Sequence, residues 1–323
     1  LALSTMMEGI APFRTLVGYA LVRDEQGHEM HKSSGNAIWF DDAAEQAGAD
    51  VMRWLYCSHE ITTNLNFGYG ALREVRGKFI NTLWNAYSFF ANYARLAGFA
   101  PGGPARPFAE LPDFDRWILT ELQDAVAACR AAVERYDLRA AARAIEAFVD
   151  DLSTWYIRHN RRRFWKSEDD ADLHLALGTL YECLHGVVRL AAPMTPFITE
   201  AIYQNLVRAV DAAAPESVHH TDYPTVDDRR VDRALTEQMR AVKRINGLCL
   251  SAREARKIKV RQPLSLLRIG PADDLERAAA ERFSAMLADD LNVKPVEVLE
   301  PGTASPLRHE VKPNFKALGA RLG

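Results

Sequence analysis

Hydrophobic positions recur every three or four residues through most of the chain, a spacing that predicts helices. One series is Leu72, Val75, Phe79, Leu83, Ala86, Phe90, Tyr93 and Ala97; a second is Leu119, Leu122, Val126, Cys129, Val133 and Tyr136. A third is Leu173, Leu177, Leu180, Leu184, Val187 and Ala191. A helix around residues 140–165 and another opened by Thr195-Pro196 complete a predicted bundle. A turn-rich stretch from Gly98 and a break from Asp211 punctuate it. The pattern changes at both ends. Residues 14–23, between Pro12 and Asp24, form a short apolar run that suits a buried strand. After it, Asp41 and Asp42 stand where they would cap a short helix closed by Gly48, and Asp50 where it would cap the next. Past residue 228 a helix runs to about Arg256, and then apolar stretches at 264–269 and 296–299 read as strands around a helix over 272–290. The predicted class is mainly α, with a small α+β unit at the carboxyl end.

A length of 323 residues is enough for two or three packed units with real cores. No apolar run approaches the ~20 residues that a membrane-spanning helix needs, which excludes that class. The four cysteines, Cys57, Cys129, Cys183 and Cys249, lie far apart among helical neighbours. They read as reduced, mostly buried thiols of a cytoplasmic protein, and no CxxC zinc pair is present. A formal charge of -3 excludes a globally basic nucleic-acid binder, so any such contact must rest on local patches. Two windows qualify: residues 158–166, with Arg158, Arg161, Arg162, Arg163 and Lys166, and residues 253–261, with Arg253, Arg256, Lys257, Lys259 and Arg261 against Glu254. The first residues carry neither an initiator methionine nor a basic segment and read as the middle of a helix ending at Gly9. The expectation is a piece of a longer protein without a signal peptide.

Residues 29–36 read Glu-Met-His-Lys-Ser-Ser-Gly-Asn. A loop that handles phosphate needs a cation, hydrogen-bond donors and a backbone able to approach an anion. Lys32 supplies the charge, Ser33 and Ser34 the donors, and Gly35-Asn36 a tight turn. The preceding Asp24-Glu-Gln-Gly27 turn fits a mobile excursion between a strand and a helix, and the competing reading is a plain solvated loop. The stretch resembles the Lys-Met-Ser-Lys-Ser signature of class I aminoacyl-tRNA synthetases, in the same setting of a strand, Asp-Glu-x-Gly, the signature and Gly-Asn. The resemblance implies that residues 1–40 end a Rossmann-type catalytic domain. It also implies ATP and Mg2+ as cofactors, catalytic-loop roles for Met30, His31, Lys32 and Ser33, and ATP contacts by Lys32, Ser33, Gly35 and Asn36. In that family the second lysine stabilises departing pyrophosphate while the amino-acid carboxylate attacks the α-phosphorus, and Lys32 holds its position. Two positions depart from the signature. Glu29 replaces the first lysine, and a carboxylate beside a triphosphate is unfavourable unless it points away or pairs. His31 replaces the serine and keeps a donor.

Residues 150–165, Asp-Asp-Leu-Ser-Thr-Trp-Tyr-Ile-Arg-His-Asn-Arg-Arg-Arg-Phe-Trp, resemble the anticodon-binding bundle of the isoleucine branch of that family. Residues 251–264 and 311–323 resemble segments just beyond it. The implied organisation is connecting helices over 41–70, a helical anticodon-binding domain over 71–227 and the start of a carboxyl-terminal α+β domain over 228–323. The implied partners are tRNA(Ile) and isoleucine. The family's first signature, His-Ile-Gly-His, its inserted editing domain and most of its amino-acid pocket are not in this sequence, so the chain by itself is expected not to form the adenylate.

One continuous helix over residues 150–166 would place Arg158, Arg161 and Arg162 within an arc of about 100°. Together with the family resemblance this reads as tRNA contact by Arg158, Arg161, Arg162, Arg163 and Trp165, with Trp155 in the core. The alternative is that these arginines pair with Asp150, Asp151, Glu168, Asp169 and Asp170. In the second window Arg256 and Lys257 are candidates for the tRNA backbone, against a solvated helix end whose cations suit the helix dipole. His219 and His220 have no carboxylate or cysteine at ligand spacing, and His159 and His185 read as surface or core residues, so no metal site is expected. Other readings are a non-catalytic tRNA-binding relative, a segment of a valyl- or leucyl-type enzyme, and a helical interaction module without RNA.

Overall fold

The computed structural model describes residues 1–102, 106–165 and 169–300. Lys166, Glu168, part of the connection after Gly98 and the stretch at 311–323 lie outside the described residues. The chain folds as two compact units that divide between Asp232 and Arg233.

The first unit opens with α1 (Ala2–Glu8), which ends at Gly9 in the left-handed conformation, φ 68°. The apolar run at 14–23 does not form the strand expected of it. Only β1 (Val22–Arg23) joins a sheet, parallel to β2 (Leu65–Asn66), with Val22 opposite Leu65 and Arg23 opposite Asn66. A strand is held by its ladder partners, and a two-residue partner cannot organise ten residues. Leu16, Tyr19 and Leu21 are exposed instead, and Tyr19 and Leu21 face Tyr56 and Ile61 across an open hollow of about 500 Å³.

Two helices, α2 (Phe40–Ala47) and α3 (Ala49–Ser58), form the crossover between β1 and β2. Val51, Leu55, Leu65, Phe67 and Leu72 make a local core there. Gly48, at φ 86°, closes α2 as expected, but the capping expectations fail. Asp41 and Asp42 lie in the first turn of α2 and make no capping bond, although their charge suits that end of the dipole. Asp50 lies inside α3 and caps a different helix, α10 (Pro196–Tyr203). Its carboxylate accepts the amides of Phe197 and Ile198, at 3.3 and 2.6 Å, donors that the first turn of α10 would otherwise leave unpaired.

The bundle begins with α4 (Tyr69–Val75), which passes through a π turn at Arg76–Ile80 into α5 (Asn81–Leu96). It continues with α6 (Asp113–Glu134), α7 (Leu138–Asp150) and α9 (Asp170–Ala191). The predicted stripes face inward: Leu72, Phe79, Leu83 and Phe90, then Leu119, Leu122, Val126 and Cys129, then Leu177, Leu180, Leu184 and Val187 are buried. Val133 and Tyr136 are exposed, because α6 ends there and Tyr136 turns at φ 59°. The single helix expected over 140–165 is divided. After α7 the backbone makes a π turn, Asp151–Ile157, and breaks at Asn160 before α8 (Arg161–Trp165). The Tyr156 carbonyl accepts both the Asn160 side chain at 2.8 Å and the Asn160 amide at 3.1 Å, and the Arg163 amide donates to the Asn160 carbonyl at 2.9 Å as α8 begins.

The second unit is built on α11 (Arg233–Ala255). The expected strands are β3 (Leu267–Ile269) and β4 (Val296–Val298), paired in parallel with Leu267 opposite Val296. The helix expected between them is two: α12 (Asp274–Arg282), whose cap Asp273 accepts the Glu276 amide at 2.7 Å, and α13 (Ser284–Leu291). Phe283, at φ -105° and ψ 20°, separates them.

Candidate functional site

The loop at 29–36 hangs from a turn that folds back on β1. Asp24 is buried, and its carboxylate accepts the amides of Gln26 at 3.1 Å and His28 at 2.8 Å and the side-chain amide of Asn36 at 2.9 Å. The Asn36 bond, with the His28 amide next, holds the Asp24 carboxyl below its usual range. Asn36 also donates to the Glu29 carbonyl at 3.0 Å and accepts the His31 amide at 3.0 Å, so it clasps the loop shut from within. Glu25 accepts the Gly70 amide at 2.6 Å in the first turn of α4. A Cβ on Gly68 would meet Glu25 Cγ at 2.0 Å, so this approach requires glycine.

Along the loop itself, Lys32–Ser34 makes one 3-10 turn closed by Gly35 at φ 71°. Lys32 and Ser33 are exposed, and Met30 is half-buried. The Lys32 ammonium lies 4.6 Å from the centroid of the Trp39 ring, within cation–π range. Glu29 points back toward β1 and lies 4.0 Å from Arg23 and 3.6 Å from His31. The carboxylate that replaces the first lysine of the signature is thus paired. Asp24 and Glu25 are legible in the sequence as part of the turn before the loop but not as its supports, and the Trp39 contact leaves no signal there.

On the bundle, α8 sorts the arginine-rich segment by direction. Arg161, Arg162 and Trp165 are exposed, as is Arg158 before the break. Among the described residues neither Arg161 nor Arg162 has an ion-pair partner. Arg163 does not share that exposed face, a correction to the uniform cationic stripe. Its Nη1 donates to Asp115 of α6 at 2.6 Å, and its Nε and Nη2 donate to Asp172 of α9 at 2.9 and 2.8 Å. Asp115 is fully buried and also accepts the Tyr156 hydroxyl at 2.6 Å. Burial opposes the Arg163 charge, but the bonds to Asp172 and the charge of Asp115 outweigh it and raise its pKa. Burial, then the charge of Asp115, push the Tyr156 phenol far up, so it remains a neutral donor. Phe164 packs edge-on against Phe89, ring centroids 5.1 Å apart, and completes the anchor. Trp155 is half-buried and stacks on His159, which stacks in turn on Phe114.

In the second unit Arg256 and Lys257 are exposed just past the end of α11, whereas Arg253 is buried. Among the described residues no cluster of three His, Cys, Asp or Glu side chains is arranged to hold a metal ion, and no helix is long and apolar enough to cross a membrane.

A family model for the anticodon-binding domain of tRNA ligase matches residues 115–268, and one for class I tRNA synthetases (I, L, M and V) matches residues 1–68. Isoleucine–tRNA ligase of Thermus thermophilus is 43% identical over 99% of the chain. Proteins of the same name from Dehalococcoides mccartyi and Deinococcus radiodurans are 40% and 37% identical over 96% and 100% of it. The chain spans about a third of the length of these relatives: 31%, 31% and 29%. Among solved structures, methionyl-tRNA synthetase of Mycobacterium tuberculosis matches with a TM-score of 0.54 over 68% of this chain and 47% of its own. The LeuRS–tRNA ternary complex of Agrobacterium radiobacter matches with a TM-score of 0.51 over 66% of this chain and 24% of its own. Both are 20% identical, so the likeness is one of fold. The chain carries a class I tRNA-synthetase segment followed by a tRNA-ligase anticodon-binding domain, and along nearly its whole length it is a homologue of isoleucine–tRNA ligases.

Proposed function

We propose that this chain serves the ligation of isoleucine to tRNA(Ile), binding the tRNA through the exposed face of α8 and attending ATP through the loop at 29–36. The observation that carries the tRNA assignment is the division of labour on α8. Arg163 and Phe164 anchor the segment, while Arg161 and Arg162 are exposed and carry no ion pair among the described residues; Trp165 and Arg158 are exposed beside them. Guanidinium groups beside an exposed indole offer phosphates a charge and unpaired bases a stacking face. The family match over residues 115–268 supports the same reading.

For the loop, Lys32 is the group for ATP. As the amino-acid carboxylate attacks the α-phosphorus, the bond to pyrophosphate breaks and charge grows on the leaving oxygens; an ammonium held there lowers the barrier. The Lys32 side chain must leave Trp39 to reach them. Ser33 and the Gly35 turn present donors beside it, with half-buried Met30 and exposed His31 just before it in the loop. Magnesium would arrive with the nucleotide's phosphates. A cytosolic setting suits four free thiols.

Binding is tested by titrating the chain with tRNA(Ile) and with the same tRNA bearing a foreign anticodon. The reading expects the foreign anticodon to weaken binding, and equal affinities contradict it. The chain alone is expected to give background ATP–pyrophosphate exchange with isoleucine, because Lys32 is one part of a site that the sequence does not complete.

A further inference from the structure

The second basic window is organised around a buried cation. Arg253, 5% exposed, lies in the last turn of α11 and among the described residues donates only to backbone carbonyls. Its Nη1 reaches Lys259 at 3.3 Å and Gln262 at 3.1 Å; its Nη2 reaches Leu291 at 2.5 Å and Asn292 at 3.4 Å. Leu291 and Asn292 end α13, so the negative end of a helix dipole faces the guanidinium. From the same corner the Asn292 side chain donates to the Val260 carbonyl at 3.1 Å. The loop is closed further by bonds from the Ile258 amide to Arg253 and from the Gln262 amide to Lys259, each 2.9 Å. Lys257 sits in the left-handed region at φ 56° and ends α11, with the Ile258 amide bonded back to the Arg253 carbonyl.

The carbonyls of residues 259, 260 and 262 are thereby turned inward, and the side chains of Arg256, Lys257, Lys259 and Arg261 stand exposed. Among the described residues none of the four has an ion-pair partner. Glu254 is the one acidic side chain in the window. Four like charges within six residues repel one another, and fixing them in one conformation favours an anion that spans several of them. Half-buried Ile258 and exposed Val260 are the apolar side chains between them and neither is aromatic, so the loop offers charge without a stacking face and suits a phosphate backbone rather than bases.

We propose that residues 256–261 form a preformed loop for the RNA phosphate backbone, and that Arg253 is the positioning residue that holds it. The proposal rests on tRNA as partner and adds Arg253, Lys259 and Arg261 to its contacts or their support. The test is tRNA binding by the full chain over a series of salt concentrations. The variant Lys257→Ala/Lys259→Ala/Arg261→Ala is expected to weaken binding about tenfold or more and to reduce the steepness of the salt dependence by about 2. Arg253→Lys, which cannot span four carbonyls, should weaken binding several-fold in the native background and have little effect in the neutralised one, as a double-mutant cycle reads coupling. Asn292→Gly keeps a left-handed backbone, removes the tie to Val260 and gives the same comparison if Arg253→Lys does not fold.

A neutralised loop that binds like the native chain overturns the proposal. So does an Arg253 or Asn292 effect of equal size in both backgrounds, which marks a purely structural role. If the native chain shows no salt-dependent tRNA binding, the functional reading falls with it. If Arg161→Ala/Arg162→Ala weakens binding while the neutralised loop does not, this proposal alone falls.

Discussion

Asn36 illustrates how a residue's type and its position can point to different work. The family resemblance makes it an ATP contact, yet its amide closes the resting loop on Asp24, Glu29 and His31. Asn36→Ala is expected to raise hydrogen exchange at the His31 amide while leaving α4 and α5 protected; unchanged exchange would refute the clasp. Asp24 adds a pH dependence whose sign follows from its depressed carboxyl. Such a group stabilises the loop above the ordinary carboxylate pKa of about 3.9, and that contribution is lost as pH falls through the lower folded value. The Asn36 side-chain amide resonance should therefore hold steady down to about pH 4 and shift only below it.

His185, although a base, gives a pH dependence of the same sign. Burial, then the charge of Arg189, push it down to about 4. The unfolded chain takes up this proton near pH 6.5, so stability is full above that value and falls as pH drops toward 4. Between pH 7 and 5 the loss should be about 2 kcal/mol in chemical denaturation, and His185→Gln should remove most of it. An equal pH dependence in the variant would show that other groups carry it.

At the scale of elements, helices were readable where a stripe of apolar residues predicts its own burial, as with Leu119, Leu122 and Val126. What periodicity could not supply is partnership across the chain. The run at 14–23 has strand composition, but its pairing extends over two residues. Asp50 looks like a local cap and serves α10 instead. Arg163 reads like its neighbours and is a half-buried strut, because which side of a helix faces inward near a break at Asn160 depends on that break. The signature loop was legible as a motif, while its supports Glu25 and Trp39 come from contacts that spacing does not encode. Arg163→Ala leaves the carboxylate of Asp115 buried without its cation and should destabilise the chain by about 3–5 kcal/mol. Arg161→Ala should stay within about 0.5 kcal/mol of the native chain. If thermal or denaturant unfolding finds the two equal, the division of roles on α8 is wrong. Asp50→Ala should cost about 1–2 kcal/mol through the lost cap of α10.

The whole molecule carries a formal charge of -3, so it has no general attraction for a polyanion. Two local groups of exposed cations stand out instead, Arg161 and Arg162 on α8 in one unit and residues 256–261 in the other, the first beside half-buried Arg163 and the second beside buried Arg253. A tRNA bound this way should show a salt dependence set by a few contacts rather than by the net charge. The most direct measurement is the tRNA(Ile) dissociation constant of the native chain and of Arg161→Ala/Arg162→Ala from low to physiological salt. The expected result is tight, steeply salt-dependent binding by the native chain, with the slope smaller in magnitude by about 1.5 in the variant and no loss of fold. Native and variant slopes that coincide, or a native chain that does not bind tRNA, would contradict the account.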